Sequence, residues 1–422
     1  MHKHAAFFCL LLGSFPPKST ALSNLMDSLD VKSMLTSLVS ELRFPEVSSL
    51  TKRSRKLDTM SNGSTVLWVI QDSYEGQTFF DTFDFYTGVD PTNFLDQQSA
   101  FNQSLAYVNS DNKVIMQGDN TTWLPSGVNR SSVRISSQAE YNTGLFVLDL
   151  DMAPWGCGVW PAFWQAFYWY RFCLICSSFN RTLGNGVWPW NGEIDIIEGV
   201  HDNEHNQVTW HTAPGCNLTA TSNFTGTIVQ TNGVDNLQCN AFIDSNAGCG
   251  VTEWSRASYG PYFDSQGGGV FAMKWDADGI AVWSFYRAAI PQDIVQGEPN
   301  PSNWGQPVAS LSPLACNITQ SFANHSIVFV DVLITVDITF CGDWAGNSYA
   351  TSGCPGTCPD RLMDPSNFVN ASWIINSLKV YKQATLSGGD SNDAPSSMGP
   401  SLRMIGLLLC VATALHVMNM AF

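Results

Sequence analysis

Three carboxylates fall within six residues of an otherwise apolar run, Trp188-Pro-Trp-Asn-Gly-Glu193-Ile-Asp195-Ile-Ile-Glu198-Gly-Val. Isoleucines at 194, 196 and 197 favour a strand, because β-branched side chains fit a pleated surface. Successive side chains of a strand point to opposite faces. Glu193 and Asp195 therefore share a face, whereas Glu198, five residues from Glu193, would point away. One extra residue at Ile196-Ile197, a β-bulge, returns Glu198 to the face of the other two. The run thus asks for a strand with one face on a core and the other on a cleft. A strand bearing three solvated acids is the plainer alternative. The intervening isoleucines and the flanking Gly192 and Gly199 argue against it.

Two glutamates on one sheet face suit a double displacement. Retaining glycosidases hold two carboxyl groups about 5–5.5 Å apart, one as nucleophile and one as acid/base.

From about Leu67 the rest of the chain has a compatible texture. Short runs rich in Val, Ile, Phe, Tyr and Thr alternate with Gly, Asn, Asp and Pro, as at 113–117, 132–136, 145–150, 207–211, 269–275, 280–286, 327–340 and 372–381. No long amphipathic helix interrupts them and no internal repeat is evident. This pattern predicts an all-β sandwich or barrel. A net charge of −16 with only 13% charged residues argues against a nucleic-acid partner and against adsorption to an anionic membrane. The 15 Trp and 25 Phe supply core, with some aromatic rings left over as platforms for sugar rings.

Residues 1–21 read as a signal peptide: basic start, short apolar run, small residues before Leu22. Residues 22–65 read as a propeptide or flexible arm, helical in spacing over Leu25–Leu42 and basic over Thr51–Lys56. Cys157, Cys216, Cys239, Cys249, Cys316, Cys341, Cys354 and Cys358 form an even set, which suggests disulfides of unspecified pairing. Cys354-x3-Cys358 as half a zinc site lacks a second pair of ligands, and His201-x3-His205 lacks further ligands. Ten N-x-S/T sequons, at Asn62, Asn102, Asn120, Asn129, Asn180, Asn217, Asn223, Asn317, Asn324 and Asn370, fit a secreted glycoprotein.

Residues Gln165–Arg181 break the pattern, being aromatic and cysteine-rich without turn chemistry. Removing them joins Val159-Trp-Pro-Ala-Phe-Trp164 to Thr182-Leu-Gly-Asn-Gly-Val-Trp188, a short loop into the acidic strand. We read this insert as a retained intron, with a genuine aromatic loop over the cleft as the alternative. Residues 384–403 form a polar spacer, and Met404–Phe422 carry no formal charge. Spacer and tail together read as a GPI-anchor signal, with Gly389, Ser391 or Asn392 as attachment residue. A tail-anchored membrane helix is the alternative.

Trp160-Pro-Ala-Phe-Trp, Asn191-Gly-Glu-Ile-Asp-Ile-Ile-Glu-Gly-Val, Trp210-His-Thr and Cys341-Gly-Asp-Trp-Ala-Gly resemble glycoside hydrolase family 16, in its fungal laminarinase-like endo-1,3(4)-β-glucanase branch. The resemblance covers roughly 66–383. It implies a curved, concanavalin A-like β-jelly-roll sandwich with a concave sugar-binding cleft, and retention at the anomeric carbon. It makes Glu193 the nucleophile and Glu198 the acid/base, with Asp195 biasing the protons between them. Trp160, Trp188 and Trp344 match positions near the cleft and are candidates for stacking on glucose rings, with buried core tryptophan the equal alternative. His211 and Asn191 are candidates for contacts to the reacting sugar. The resemblance implies no cofactor and no catalytic metal. A structural calcium, seen in some members, has no placeable ligands here.

The expected function is a secreted, monomeric endo-β-glucanase acting on 1,3- or mixed 1,3/1,4-β-glucan, anchored at the cell surface or wall. Two alternatives are a cell-wall transglycosylase sharing the covalent intermediate and a non-catalytic glucan-binding protein. The presence of all three acids weighs against the latter.

Overall fold

The β-rich runs pair antiparallel into two facing sheets. The computed structural model describes residues 57–60, 62–89, 92–166, 188–220, 223–329 and 339–385. The sheet bearing the acids contains β1 (Phe83–Phe85), β2 (Ile135–Tyr141), β3 (Ala162–Ala166), β4 (Glu193–Glu198), β5 (Gln207–His211), β6 (Thr227–Ile228), β7 (Cys249–Thr252) and β8 (His325–Phe329). Their spatial order is β6-β7-β5-β4-β3-β8-β2-β1, so β4 lies in the middle. The second sheet runs Asp58–Thr59, Thr65–Tyr74, Ser372–Thr385, Gly144–Met152, Gly269–Asp276, Gly279–Tyr286, Ala309–Leu311, with Val114–Gln117 also paired to Ser372–Thr385 and Ala106–Val108 paired to Val114–Gln117. Strands distant in sequence alternate in both sheets, giving the expected jelly-roll sandwich. Among the described residues no α-helix exceeds six residues.

The core fills the space between the sheets. Ile194, Ile196 and Ile197 of β4 are at most 1% exposed and join a cluster containing Phe146, Leu148, Phe271, Met273 and Trp275 of the facing sheet. Each fully buried Ile contributes roughly 1.5–3 kcal/mol of transfer free energy. That burial fixes which face of β4 looks inward, and so which face carries the acids.

The eight cysteines pair as Cys157–Cys354, Cys216–Cys316, Cys239–Cys249 and Cys341–Cys358. Cys354 and Cys358 are thus bridged to different partners rather than free to bind zinc. His201 contacts Ser348 Oγ and His205 contacts the Glu253 carbonyl, so the two rings do not form a ligand pair.

The sheet is wider than the 66–383 span. Asp58 and Thr59 pair with Val66 and Thr65, and buried Asp58 accepts the Trp68 Nε1–H at 2.7 Å. At the other end Ala384 and Thr385 pair with Leu67 and Val66. The signal peptide, most of the expected arm, the remainder of the spacer and the tail lie outside the described residues. Of the insert, Gln165 and Ala166 extend β3 opposite Ile194 and Glu193. The rest of it also lies outside the described residues.

Candidate active site

The bulge required by parity is present. On one side Glu193, Asp195 and Glu198 oppose His211, Thr209 and Gln207, so three steps along β4 match two along β5. On the other side Trp164 opposes Asp195 and Phe163 opposes Ile197. In the β3 ladder the extra residue is Ile196, and in the β5 ladder Ile196 and Ile197 together fall opposite Val208. Both Ile196 and Ile197 therefore pack inward, and Glu198 returns to the face of Glu193 and Asp195.

Glycine flanks the strand for steric reasons. Gly192 has φ +75°, and a Cβ there would meet Phe322 and the Ser321 carbonyl at 2.4 Å. A Cβ on Gly199 would meet the Tyr259 ring at 2.9 Å. The turn before Glu193 is further tied down through Asn191, whose carbonyl accepts from His325 Nε2 at 2.6 Å and from the Ala323 N–H at 3.1 Å.

Each glutamate has its own indole donor. Trp188 Nε1–H donates to Glu193 Oε2 at 2.6 Å, and Trp160 Nε1–H donates to Glu198 Oε1 at 3.1 Å. Trp344, on the turn Gly342–Gly346, packs edge-on against Trp160 with ring centroids 5.8 Å apart. Trp160 is 7% exposed, which makes it a carboxylate donor and packing residue rather than an open sugar platform.

Burial raises the titrations of two of the acids. It pushes the Glu198 carboxyl up to about 7, partly opposed by the hydrogen bonds from Trp160 and from the Thr209 hydroxyl. Asp195 is raised well above the ordinary carboxylate range, first by burial and then by the neighbouring charges of Glu193 and Glu198. His211 is pushed down to about 4 by burial. Its Nδ1 lies 2.9 Å from Asn246 Oδ1, which can only accept, so Nδ1 carries the ring proton. The Nε2 lone pair then faces Asp195 Oδ2 at 3.4 Å and Glu193 Oε1 at 4.0 Å. A proton on Asp195 makes the first of these contacts attractive and leaves one negative charge fewer beside Glu193.

Glu193, Asp195 and His211 offer ligand atoms within 4.8 Å of one another, a donor set that would also suit a divalent cation. An ion there would take up the Glu193 oxygens that a displacement needs.

The structure thus brings together Glu193, Asp195, Glu198, Trp160, Trp188, Trp344 and His211, with Asn191 holding the entry turn. Sequence reasoning missed Asn246, Thr209 and Asn206, the last of which bonds the bulge backbone. Only the need for a bulge pointed to a residue like Asn206: peptide groups that drop out of a ladder must find another partner.

Residues 83–381 match the family model described as the XgeA-like catalytic GH16 domain. A probable glycosidase of Schizosaccharomyces pombe is 43% identical over 320 residues, 73% of this chain and 68% of that protein. A probable endo-1,3(4)-β-glucanase of Aspergillus niger is 35% identical over 336 residues, 76% of this chain but 41% of the relative. Among solved structures, Laminarinase 16A of Phanerochaete chrysosporium, with β-glucans in its donor and acceptor sites, gives a TM-score of 0.65 at 38% identity, covering 75% of this chain and 99% of that one. An elongating GH family 16 β-1,3-glucosyltransferase gives 0.63 at 34% identity, covering 75% and 100%.

Proposed function

Because the chain belongs to glycoside hydrolase family 16, we propose that it is a retaining endo-β-glucanase cleaving 1,3- or mixed 1,3/1,4-linked glucan. The observation that carries this reading is the bulge that sets Glu193 and Glu198 on one face, each with its own indole donor. In the first step the Glu193 carboxylate attacks the anomeric carbon while Glu198 protonates the departing glycosidic oxygen. A glycosyl–Glu193 ester forms and the aglycone leaves as an alcohol. In the second step Glu198, now ionised, takes a proton from water, the hydroxide oxygen bonds the anomeric carbon, and Glu193 departs as carboxylate.

Trp188 supports the charge that returns to Glu193. The raised Glu198 titration keeps the acid loaded near neutral pH, where general acid catalysis is efficient. Asp195, holding its own proton, limits the repulsion among three close carboxyls. The stated roles need neither a cofactor nor a metal.

The test is product analysis on laminarin and lichenan. Reducing-sugar release with retained anomeric configuration supports hydrolysis, and Glu193→Gln should abolish turnover while leaving the melting temperature within a few degrees. Undiminished activity in that variant would refute the nucleophile assignment. The likeness to an elongating glucosyltransferase favours a second reading, transfer of the same intermediate to another sugar. Products longer than the substrate would select it.

The proposed site of action is outside the cell. Four disulfides among the described residues support that placement, since such bonds persist in oxidising compartments. Attachment through the 404–422 tail is part of the same reading, and release by a phosphatidylinositol-specific phospholipase tests it.

A further inference from the structure

A bulge disturbs the ladder it interrupts. Between Asp195 and Glu198 the pairing of β4 with β5 skips a position. At that gap the Glu198 N–H donates to Asn206 Oδ1 at 2.9 Å, and Asn206 Nδ2 donates to the Ile196 carbonyl at 2.9 Å. One side-chain amide therefore meets the backbone groups on either side of Ile197, within the bulge. It stands in for the peptide that β5 lacks at this point.

Asn206 is itself over-determined. It is fully buried, its N–H donates to Ser258 Oγ at 2.9 Å, and its carbonyl accepts from the Glu253 N–H at 2.9 Å. Ser258 Oγ in turn donates to the Ser255 carbonyl at 2.6 Å. The amide is thus held from behind by the 253–258 segment, and the bulge is held by the amide. Only asparagine supplies a donor and an acceptor on a plane short enough for this place. Aspartate lacks the donor, glutamine is a methylene longer, and a buried group left unmatched is costly.

We propose that Asn206 is a positioning residue for the acid/base: its amide locks the bulge and thereby fixes where the Glu198 carboxyl meets the departing oxygen. This rests on the reading of Glu198 as the proton donor. Asn206 has no role toward Glu193, which precedes the bulge and follows the separately anchored Asn191–Gly192 turn.

The consequence is selective. A displaced acid penalises substrates whose leaving group needs a proton and spares those whose leaving group departs unaided. We would measure kcat/KM for laminaritetraose and for a 2,4-dinitrophenyl β-laminaribioside in the wild type, Asn206→Ala, Asn206→Asp and Glu198→Gln, with melting temperatures for each. Asn206→Asp is isosteric and keeps the acceptor for Glu198 N–H, so it covers the case in which Ala fails to fold. General acid catalysis is worth about 10²–10⁴-fold. The Asn206 variants should lose about 10²-fold on the oligosaccharide and less than about 10-fold on the dinitrophenyl substrate. Equal losses on both substrates, or no loss on the oligosaccharide, would overturn the assignment. If Glu198→Gln is itself unselective, the proton-donor reading fails. If Glu198→Gln is selective and the folded Asn206 variants are not, the positioning role fails alone.

Discussion

Replacing Trp160 with Phe tests the electrostatics of the site through one atom. The indole Nε1–H is 3.1 Å from Glu198 Oε1, and the ring packs edge-on against Trp344 beside buried Val200 and Ala345. Phenylalanine keeps an aromatic ring there and removes the donor. A hydrogen bond to a charged group contributes about 1.5–3 kcal/mol. Because this bond is at the long end for its type, the lower figure applies, and one pKa unit corresponds to about 1.4 kcal/mol. The sign follows from which form the donor favours. An N–H donated to a carboxylate stabilises the anion, so its loss lets the acid keep its proton to higher pH. Glu198, pushed up to about 7 in the native protein, should move up by about one further unit. In initial-rate measurements on laminarin well below KM, the alkaline limb of kcat/KM reports the free enzyme's acid. That limb should therefore move upward by about one unit in Trp160→Phe, while Trp188→Phe, whose lost donor faces Glu193, leaves it in place. A limb that stays put or moves down, in a variant whose melting temperature is nearly native, refutes the argument.

Glu253 is fully buried against Ser284 with Oε2 unpartnered, and burial pushes its carboxyl up to about 8. A carboxyl raised in the folded state contributes stability that is complete below its ordinary value near 4.5 and is lost as pH rises through about 8. Glu253→Gln should therefore flatten the fall in melting temperature between pH 5 and 9, and a fall as steep as that of the wild type would count against this. Both polar atoms of the Gln165 amide are buried without partners, so Gln165→Leu should raise stability by about 1–3 kcal/mol in urea melts. Lower stability in that variant counts against an unmatched amide, and a transcript encoding Gln165–Arg181 would sink the intron reading. Parity also predicts an asymmetry: deleting Ile196 leaves all three acids on one face of a regular strand and retains laminarinase activity, whereas deleting Ile196 together with Ile197 sets Glu198 an odd number of places from Glu193, turns it toward the core and abolishes activity. Equal loss in both variants refutes the parity argument.

What was legible in the sequence is what local periodicity encodes. The alternation around Glu193 and Asp195, the mismatch at Glu198 and the density of short β-branched runs each follow from side-chain period alone. They gave the sandwich, the bulge and the catalytic face. The cysteine set was also legible, but not its pairing. Sequence separations range from 10 for Cys239–Cys249 to 197 for Cys157–Cys354, and only the meeting of loops decides among such options. The tryptophans show a different limit. An indole has an apolar face and a polar edge, and nothing local says which one the cleft receives. Trp160 and Trp188 turned their edges to the glutamates. Asn206 was hidden because asparagine before a strand reads as turn chemistry. The strand Asp58–Thr59 escaped because two residues in a polar segment carry no period at all.

The bulge reconciles two demands on one strand. The core is served by Ile194, Ile196 and Ile197, and strict alternation over the same six residues would have room for only one of the last two. The chemistry needs Glu198 beside Glu193. Adding a residue satisfies both, at the cost of backbone groups with no opposite number, and the Asn206 amide meets that cost. The two glutamates that the bulge aligns have different surroundings. Glu193, before the bulge, receives the shorter indole bond, 2.6 Å against 3.1 Å. Glu198, beyond it, is desolvated to a titration near 7, as a proton donor working near neutrality must be. An irregularity of one residue in a strand therefore serves packing and the alignment of the two glutamates together. Substitutions that regularise the strand should be read for both effects rather than as losses of stability alone.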